Sequence, residues 1–159
     1  MPDPKRDLLR HTVATVAYRG AKALRGAPET FVDFRASDTS RTPVQILAHM
    51  GDLFDWLLTI AQGKQAWRNS TPLPWTEECE RFFQALTAFD AYLASDAPVN
   101  AELGKMFQGG IADALTHIGQ IAMLRRIAGC PMRGENYYVA NIEAGRVGAA
   151  QAAAVREFD

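Results

Sequence analysis

The chain has 159 residues, of which 48% are hydrophobic and 22% are charged, and these values are ordinary for one globular domain. Its 17 lysines and arginines against 18 aspartates and glutamates give a formal net charge of −1 at pH 7, which argues against a protein that binds nucleic acid through a basic surface. No apolar run reaches the roughly 18 residues that a membrane span requires, and residues 1–7 lack the hydrophobic core of a secretory signal. The two cysteines, Cys79 and Cys130, lie far apart, so we expect reduced thiols and a cytoplasmic protein.

Apolar residues recur at helical spacing in four segments, which predicts four amphipathic helices. We expect the first over residues 7–24, with His11 on its polar, solvated side. Thr42 is an N-cap residue followed by a proline, and it predicts the start of a second helix over residues 43–62. The apolar stripes, meaning the lines of residues on one face, are Leu9, Val13, Val16, Gly20 and Leu24 on the first helix and Ile46, His49, Leu53, Trp56 and Ile60 on the second.

The third helix is expected from Thr76, where acidic residues follow and favour the positive helix N-terminus, up to Pro98. The fourth is expected from about Asn100, loosened at Gly109 and Gly110, and regular over residues 111–128. The stripe of the third helix is Cys79, Phe82, Phe83, Leu86, Phe89 and Leu93. Four such helices predict an all-α, antiparallel four-helix bundle.

Beyond the bundle, residues 131–159 are expected to form an irregular tail, in which residues 149–157 could form a short helix. We therefore predict a single domain over residues 1–159, with its core in residues 5–130. Tyr137 and Tyr138 could line a substrate pocket, or they could dock the tail onto the bundle.

Titratable side chains lie on two of the apolar stripes. His49 shares a narrow sector of the second helix with Leu53, whereas Asp113 and His117 stack one turn apart on the fourth. Burying a carboxylate without a partner costs several kcal/mol, so we expect a cation opposite Asp113. Two imidazoles and a carboxylate from facing helices can bind one divalent metal, and three protein ligands leave positions open for water or a substrate, as in catalytic sites.

Two further polar residues lie one turn beyond the histidines. Asp52 follows His49 and Gln120 follows His117, so either could orient a ligand, and Asp52 could also be an additional ligand. A simpler interpretation stays open: His49 is a core histidine bonded to a backbone or hydroxyl group, and Asp113 and His117 form a charge-assisted hydrogen bond along one helix.

Two segments carry a likeness to a known family. The second helix contains Ile-Leu-Ala-His-Met-Gly-Asp-Leu at 46–53, and the fourth contains Asp-Ala-Leu-Thr-His-Ile-Gly-Gln-Ile-Ala-Met-Leu-Arg at 113–125. With these segments the chain resembles the DinB-like (YfiT-like) metal-binding four-helix bundles over residues 5–130. That family has one histidine on its second helix and an HxxxH pair followed by glutamine on its fourth. His49, His117 and Gln120 match this pattern, and Asp113 stands where the family usually has histidine.

The resemblance implies an up-down-down-up bundle, a homodimer and a divalent metal near one end, usually nickel or zinc. Some members of the family are transferases or isomerases that use a low-molecular-weight thiol such as bacillithiol, mycothiol or glutathione. With Asp113 in the ligand set, iron is also compatible, because two histidines and a carboxylate form non-haem iron sites.

From these observations we expect a divalent-metal-binding helical bundle, with a metal-dependent thiol S-transferase or a hydrolase as its enzyme class. The substrate would be a small molecule. The alternative is a non-catalytic, dimeric interaction or stress-response bundle in which the metal site is degenerate.

Overall fold

The fold is predominantly helical, in a computed structural model that describes residues 3–159. Met1 and Pro2 lie outside the described residues. They begin the stretch 1–7, which we expect not to be a secretory signal. The helices in chain order are α1 (Pro4–Leu24), α2 (Glu29–Val32), α3 (Pro43–Ala61), α4 (Trp75–Ala94), α5 (Leu103–Met106) and α6 (Ala112–Ile127). The all-α prediction is confirmed, and the short α2 lies between the first two of the four predicted helices.

The four long helices pack around one core. α1 contacts α4 and α6, and α3 contacts the same two helices, so the contacts close into a ring. The stripes expected on α1 and α4 are largely buried, as shown by Leu9, Val13, Val16, Leu24, Phe82, Leu86, Phe89 and Leu93. His11 is exposed, as expected, and both cysteines are free and half-buried.

On α3 and α6 the most buried residues are each one position C-terminal to the residues of the expected stripe. Fully buried positions on α3 are Leu47, Met50, Phe54, Leu57 and Ala61, and on α6 they include Ala114 and Ile121. Consecutive helical residues are about 100° apart, so a one-residue offset turns the stripe to the edge of the core. His49, Asp113 and His117 are consequently half-buried at the boundary between core and solvent.

A π-helix, Phe107–Ile111, joins α5 to α6 at the place where the sequence predicts a loosened helix. A Cβ atom on Gly110 would lie 2.5 Å from Cδ1 of Leu57 on α3, so only glycine allows this approach. Gly109, one position earlier, has no atom within 4 Å of where its Cβ would be. The π-helix therefore packs against α3 through one glycine, directly before the helix that carries Asp113 and His117.

The tail is held to α1 by a small sheet. β1 (Gly134–Glu135) pairs antiparallel with β2 (Glu157–Phe158), and Nζ of Lys22 on α1 contacts carboxylate oxygens of Glu135 and Glu157 at 2.6 and 2.7 Å. The short helix expected over residues 149–157 is wrong, because this segment is non-helical and ends in β2. An isolated helix of so few residues is marginal even when rich in alanine. Among the described residues, no helix is both long and apolar enough to cross a membrane.

Candidate metal centre

The start of α3 fixes the position of His49. Thr42 caps the helix: its hydroxyl accepts a hydrogen bond from the Gln45 backbone N–H at 3.4 Å, and the Gln45 side chain accepts one from the Thr42 N–H at 2.9 Å. This reciprocal pair satisfies two N–H groups that the first turn of a helix otherwise leaves free. His49 lies in the second turn beyond this cap.

The side chains of His49, Asp113 and His117 converge between α3 and α6. Oδ2 of Asp113 lies 3.5 Å from Nε2 of His49 and 3.4 Å from Nε2 of His117. The two imidazole rings are nearly perpendicular, with their centroids 4.8 Å apart. One ligand atom from each of the three residues lies within 4.8 Å of the others. The structure thus brings together the three residues that the sequence predicts as metal ligands.

The two Nε2–Oδ2 separations in this cluster are longer than hydrogen bonds. N–H···O hydrogen bonds are about 2.7–3.2 Å long, and both Nε2–Oδ2 distances exceed that range. Ligand atoms about 2.1 Å from a tetrahedral zinc ion lie about 3.4 Å from one another. The spacing around Asp113 therefore fits one small divalent ion.

Gln120 holds the ring of His117, as the sequence predicts. Nδ1 of His117 lies 2.8 Å from Oε1 of Gln120. A carbonyl oxygen accepts hydrogen bonds, so this contact suits the tautomer that has its proton on Nδ1, and Nε2 faces Asp113. This is the tautomer that a metal bound at Nε2 requires.

The electrostatics of the cluster favour a neutral His49. Burial lowers the pKa of His49, and the nearby His117 and Arg41 act in the same direction, while the contact with Asp113 opposes them. The expectation that Asp113 is buried is wrong: its side chain is 41% exposed, and the groups that face it are the two imidazoles. A carboxylate this accessible to solvent does not pay the full cost of burial.

Trp67 covers the side of His49, a contact that the sequence does not predict. Its ring centroid lies 5.6 Å from that of His49 and 5.8 Å from that of Trp56. Trp67 is the one tryptophan of the connection between α3 and α4, residues 62–74, which also holds two prolines.

The role expected for Asp52 is corrected by its contacts. Its carboxylate accepts hydrogen bonds from the backbone N–H and the hydroxyl of Ser70, at 2.9 and 2.6 Å, and lies 3.1 Å from Nη1 of Arg81. Asp52 lies only about 60° around the helix from His49, but its carboxylate is bonded to Ser70 and paired with Arg81 of α4 rather than directed toward His49. It fixes the connection that carries Trp67 and is neither a ligand nor a partner of a ligand.

A cavity of about 570 Å³ opens on another side of the two histidines. His49, His117 and Gln120 line it together with Arg41 and Met123. The sequence does not predict that Arg41 and Met123 lie beside the histidines. The apolar periodicity of α3 and α6 gives no sign that the loop before α3 reaches α6.

The two tail tyrosines do not line this cavity. Tyr137 packs edge-on against Tyr18 of α1, with centroids 6.2 Å apart, and the guanidinium of Arg19 lies 4.3 Å above its ring. Tyr138 is 96% exposed. The pocket interpretation is therefore wrong for this site, and Tyr137 serves to dock the tail onto the bundle.

The chain matches no protein-family model, no curated protein and no solved structure. The resemblance to the DinB-like family accordingly stays a prediction.

Proposed function

We propose that this chain binds a divalent metal ion through His49, Asp113 and His117, and that the bound ion serves chemistry on a small molecule. The observation that carries the proposal is the spacing of the three ligand atoms, contributed by two helices and all within 4.8 Å of one another. Two imidazoles and one carboxylate suit zinc, nickel or iron, and three protein ligands leave at least one coordination position open.

The protein side chains have separate roles in this proposal. His49 and His117 each offer an imidazole nitrogen, Asp113 supplies one negative charge, and Gln120 orients the His117 ring through its Nδ1. A divalent ion in this setting acts as a Lewis acid that lowers the pKa of a thiol or water beside it. A metal-dependent thiol S-transferase or a hydrolase is therefore the proposed enzyme class, and the cavity lined by His49 and His117 is the proposed access route.

The ring of contacts among α1, α3, α4 and α6 supports a four-helix bundle. The antiparallel up-down-down-up order, membership of the DinB-like family, a homodimer, a low-molecular-weight thiol and a cytoplasmic location stay predictions of the sequence.

The proposal is tested by the metal content of the purified protein. We expect inductively coupled plasma mass spectrometry to find close to one zinc, nickel or iron per chain, and to find little in the double variant His49→Ala, His117→Ala. The matched control is His11→Ala, because His11 is the one other histidine and is exposed on α1. His11→Ala should retain the metal. Equal metal in the wild type and the double variant would refute the proposal.

Thermal unfolding gives a second, independent measurement. A ligand that binds only the folded state stabilises it by about 2.7 kcal/mol at a hundredfold excess over its Kd. We expect Ni²⁺ or Zn²⁺ to raise the Tm of EDTA-treated wild type and of His11→Ala, but not of the double variant. If no divalent ion shifts the Tm, the non-catalytic bundle with a degenerate site replaces the proposed enzyme.

A further inference from the structure

The cavity beside the proposed metal site contains one strong cation. Of the nine residues that line it, Arg41 is the only lysine, arginine, aspartate or glutamate. Within residues 3–159, the Arg41 side chain has no hydrogen-bond or ion-pair partner. By contrast, Arg81, which packs against α3, forms ion pairs with Asp52 and Glu78.

The backbone around Arg41 is held in place on both sides. Before it, the guanidinium of Arg35 donates to the Ser40 carbonyl at 2.9 Å, and the Ser40 hydroxyl accepts from the Ser37 N–H at 3.0 Å. After it comes Thr42, the buried N-cap of α3. Arg41 is exposed and lines the cavity from a braced turn, so a ligand on its guanidinium has to order the side chain but not the backbone.

The walls of the cavity divide into a polar and an apolar part. Ile46 and Leu124 are buried and Met123 is 59% exposed, and together they offer an aliphatic surface. His49 and His117 lie at the metal end. With a divalent ion held by one carboxylate, the ion and Asp113 carry a net charge of about +1, to which Arg41 adds a further positive charge.

From this arrangement we propose that the cavity is a binding site for a small aliphatic carboxylate, with the carboxylate on Arg41 and a metal-binding atom at the other end directed toward His49 and His117. This proposal rests on the metal site proposed above. A single planar guanidinium matches a carboxylate through two parallel hydrogen bonds, and Arg41 is the one lysine or arginine in the lining.

The experiment uses protein loaded with Co²⁺, whose visible absorption reports a ligand bound to the metal. The probes are ω-mercaptocarboxylates of increasing chain length, each paired with the mercaptoalcohol of the same length. For each pair, the ratio of the two Kd values measures the preference for the carboxylate. We expect the wild type to prefer the best-fitting carboxylate about tenfold over its alcohol, which is the contribution of one charge-assisted pair.

Arg41→Gln should reduce that preference to about twofold or less while binding Co²⁺ as the wild type does. The matched control is Arg126→Gln, which removes the same charge from an exposed position on α6 that does not line the cavity. It should keep the tenfold preference. The ratio within each pair cancels the general affinity of thiols for the metal, so any remaining change belongs to the carboxylate.

The possible outcomes separate the two proposals. If Co²⁺ binds but the wild type shows no carboxylate preference, or if Arg41→Gln retains it, the Arg41 site is refuted and the metal site stands. If Arg126→Gln loses the preference as Arg41→Gln does, long-range charge rather than a site is responsible, and the Arg41 proposal is again refuted. If Co²⁺ does not bind to His49, Asp113 and His117, both proposals fail.

Discussion

Two clusters of ionisable groups lie on different sides of α3, and they differ in how fully their polar atoms are bonded. In the first, Oδ2 of Asp113 lies 3.5 Å from Nε2 of His49 and 3.4 Å from Nε2 of His117, and both distances are too long for hydrogen bonds. In the second, Arg81 of α4 donates to Glu78 at 2.5 Å and to the Ala48 carbonyl at 2.7 Å. The α3 members of the two clusters, His49 and Asp52, are only three positions apart in the sequence.

The second cluster is buried and complete. Glu78 is 0% and Asp52 is 5% exposed, and a Cβ on Gly51 would lie 2.9 Å from the Arg81 guanidinium, so the absence of a side chain there lets Arg81 lie flat on α3. Burial works against the charge of Arg81, but the hydrogen bond to Glu78 and the charges of the nearby carboxylates outweigh it and raise its pKa.

This contrast shows how to distinguish a structural from a functional polar cluster on one helix. A cluster that exists for stability satisfies its own donors and acceptors, because an unbonded buried charge is costly. A cluster that exists to hold something else keeps its lone pairs directed at a common point and lies where solvent can exchange. Four predictions test this distinction.

The largest effect is expected for Arg81→Met, which removes the partner of the fully buried Glu78 carboxylate. Breaking a buried ion pair from one side costs about 3–5 kcal/mol, so the free energy of unfolding in urea should fall by that amount. Arg68→Met is the matched control: Arg68 is 74% exposed and lies 3.8 Å from Asp55, and exposed pairs contribute about 0–1 kcal/mol. Similar losses for the two variants would show that the Arg81 cluster is not a structural one.

The next effect concerns the π-helix that precedes the metal cluster. Gly110→Ala places a methyl group 2.5 Å from Leu57, and such overpacking costs about 1–3 kcal/mol. Because α6 begins directly after this segment, we also expect Gly110→Ala to weaken metal binding by moving Asp113 and His117 away from His49.

Gly109→Ala is the control for this substitution, since its Cβ would meet open space in the same π-helix. It changes backbone entropy in the same way without the contact. Urea unfolding and metal titration of both variants provide the comparison, and equal behaviour of the two would show that the approach of Gly110 to α3 does not position the site.

Much of this architecture is predictable from the sequence because local signals agree. The N-cap at Thr42, the apolar stripes of α1 and α4 and the loosened turn at Gly109 and Gly110 all have a local cause, and all are confirmed. The depth of His49 and Asp113 is less predictable, because adjacent helical stripes are only about 100° apart and both are rich in apolar residues.

Other features depend on contacts between segments distant in sequence. Asp52 finds Ser70 and Arg81 on other segments, Arg41 reaches the cavity from a loop, and the tail pairs as β1 and β2. None of these contacts leaves a periodic signal in one segment. The three ligands of the proposed site were predictable because two of them lie one turn apart on one helix.

The third prediction is a pH dependence carried by His49. Its pKa is lowered from the ordinary value of 6.5, so the unfolded chain binds this proton more tightly than the folded protein. The stability that this contributes is present above about pH 6.5 and is lost as the pH falls through the lower folded pKa. Urea unfolding of metal-free protein should show this loss, and His49→Gln should show a smaller one.

The affinity for the metal should also decrease as the pH falls. Each imidazole that must lose a proton to bind the ion costs up to about tenfold in affinity per pH unit below its pKa. Metal titrations at falling pH should therefore show little change near neutrality and a steep loss below. An affinity that is independent of pH through this range would exclude the two histidines as ligands.

The smallest effect is expected for Asp113→Asn in metal-free protein. The Asp113 side chain is 41% exposed and its contacts are longer than hydrogen bonds, so the free energy of unfolding should change by less than about 0.5 kcal/mol. The same substitution at Asp52 removes charge from a buried group bonded to Ser70 and Arg81, and should cost about 1.5–3 kcal/mol. With metal present the order should reverse for binding, because only Asp113 contributes a ligand atom. Equal losses of stability for the two variants would mean that Asp113 helps to hold the helices together, and the distinction between the two clusters on α3 would no longer hold.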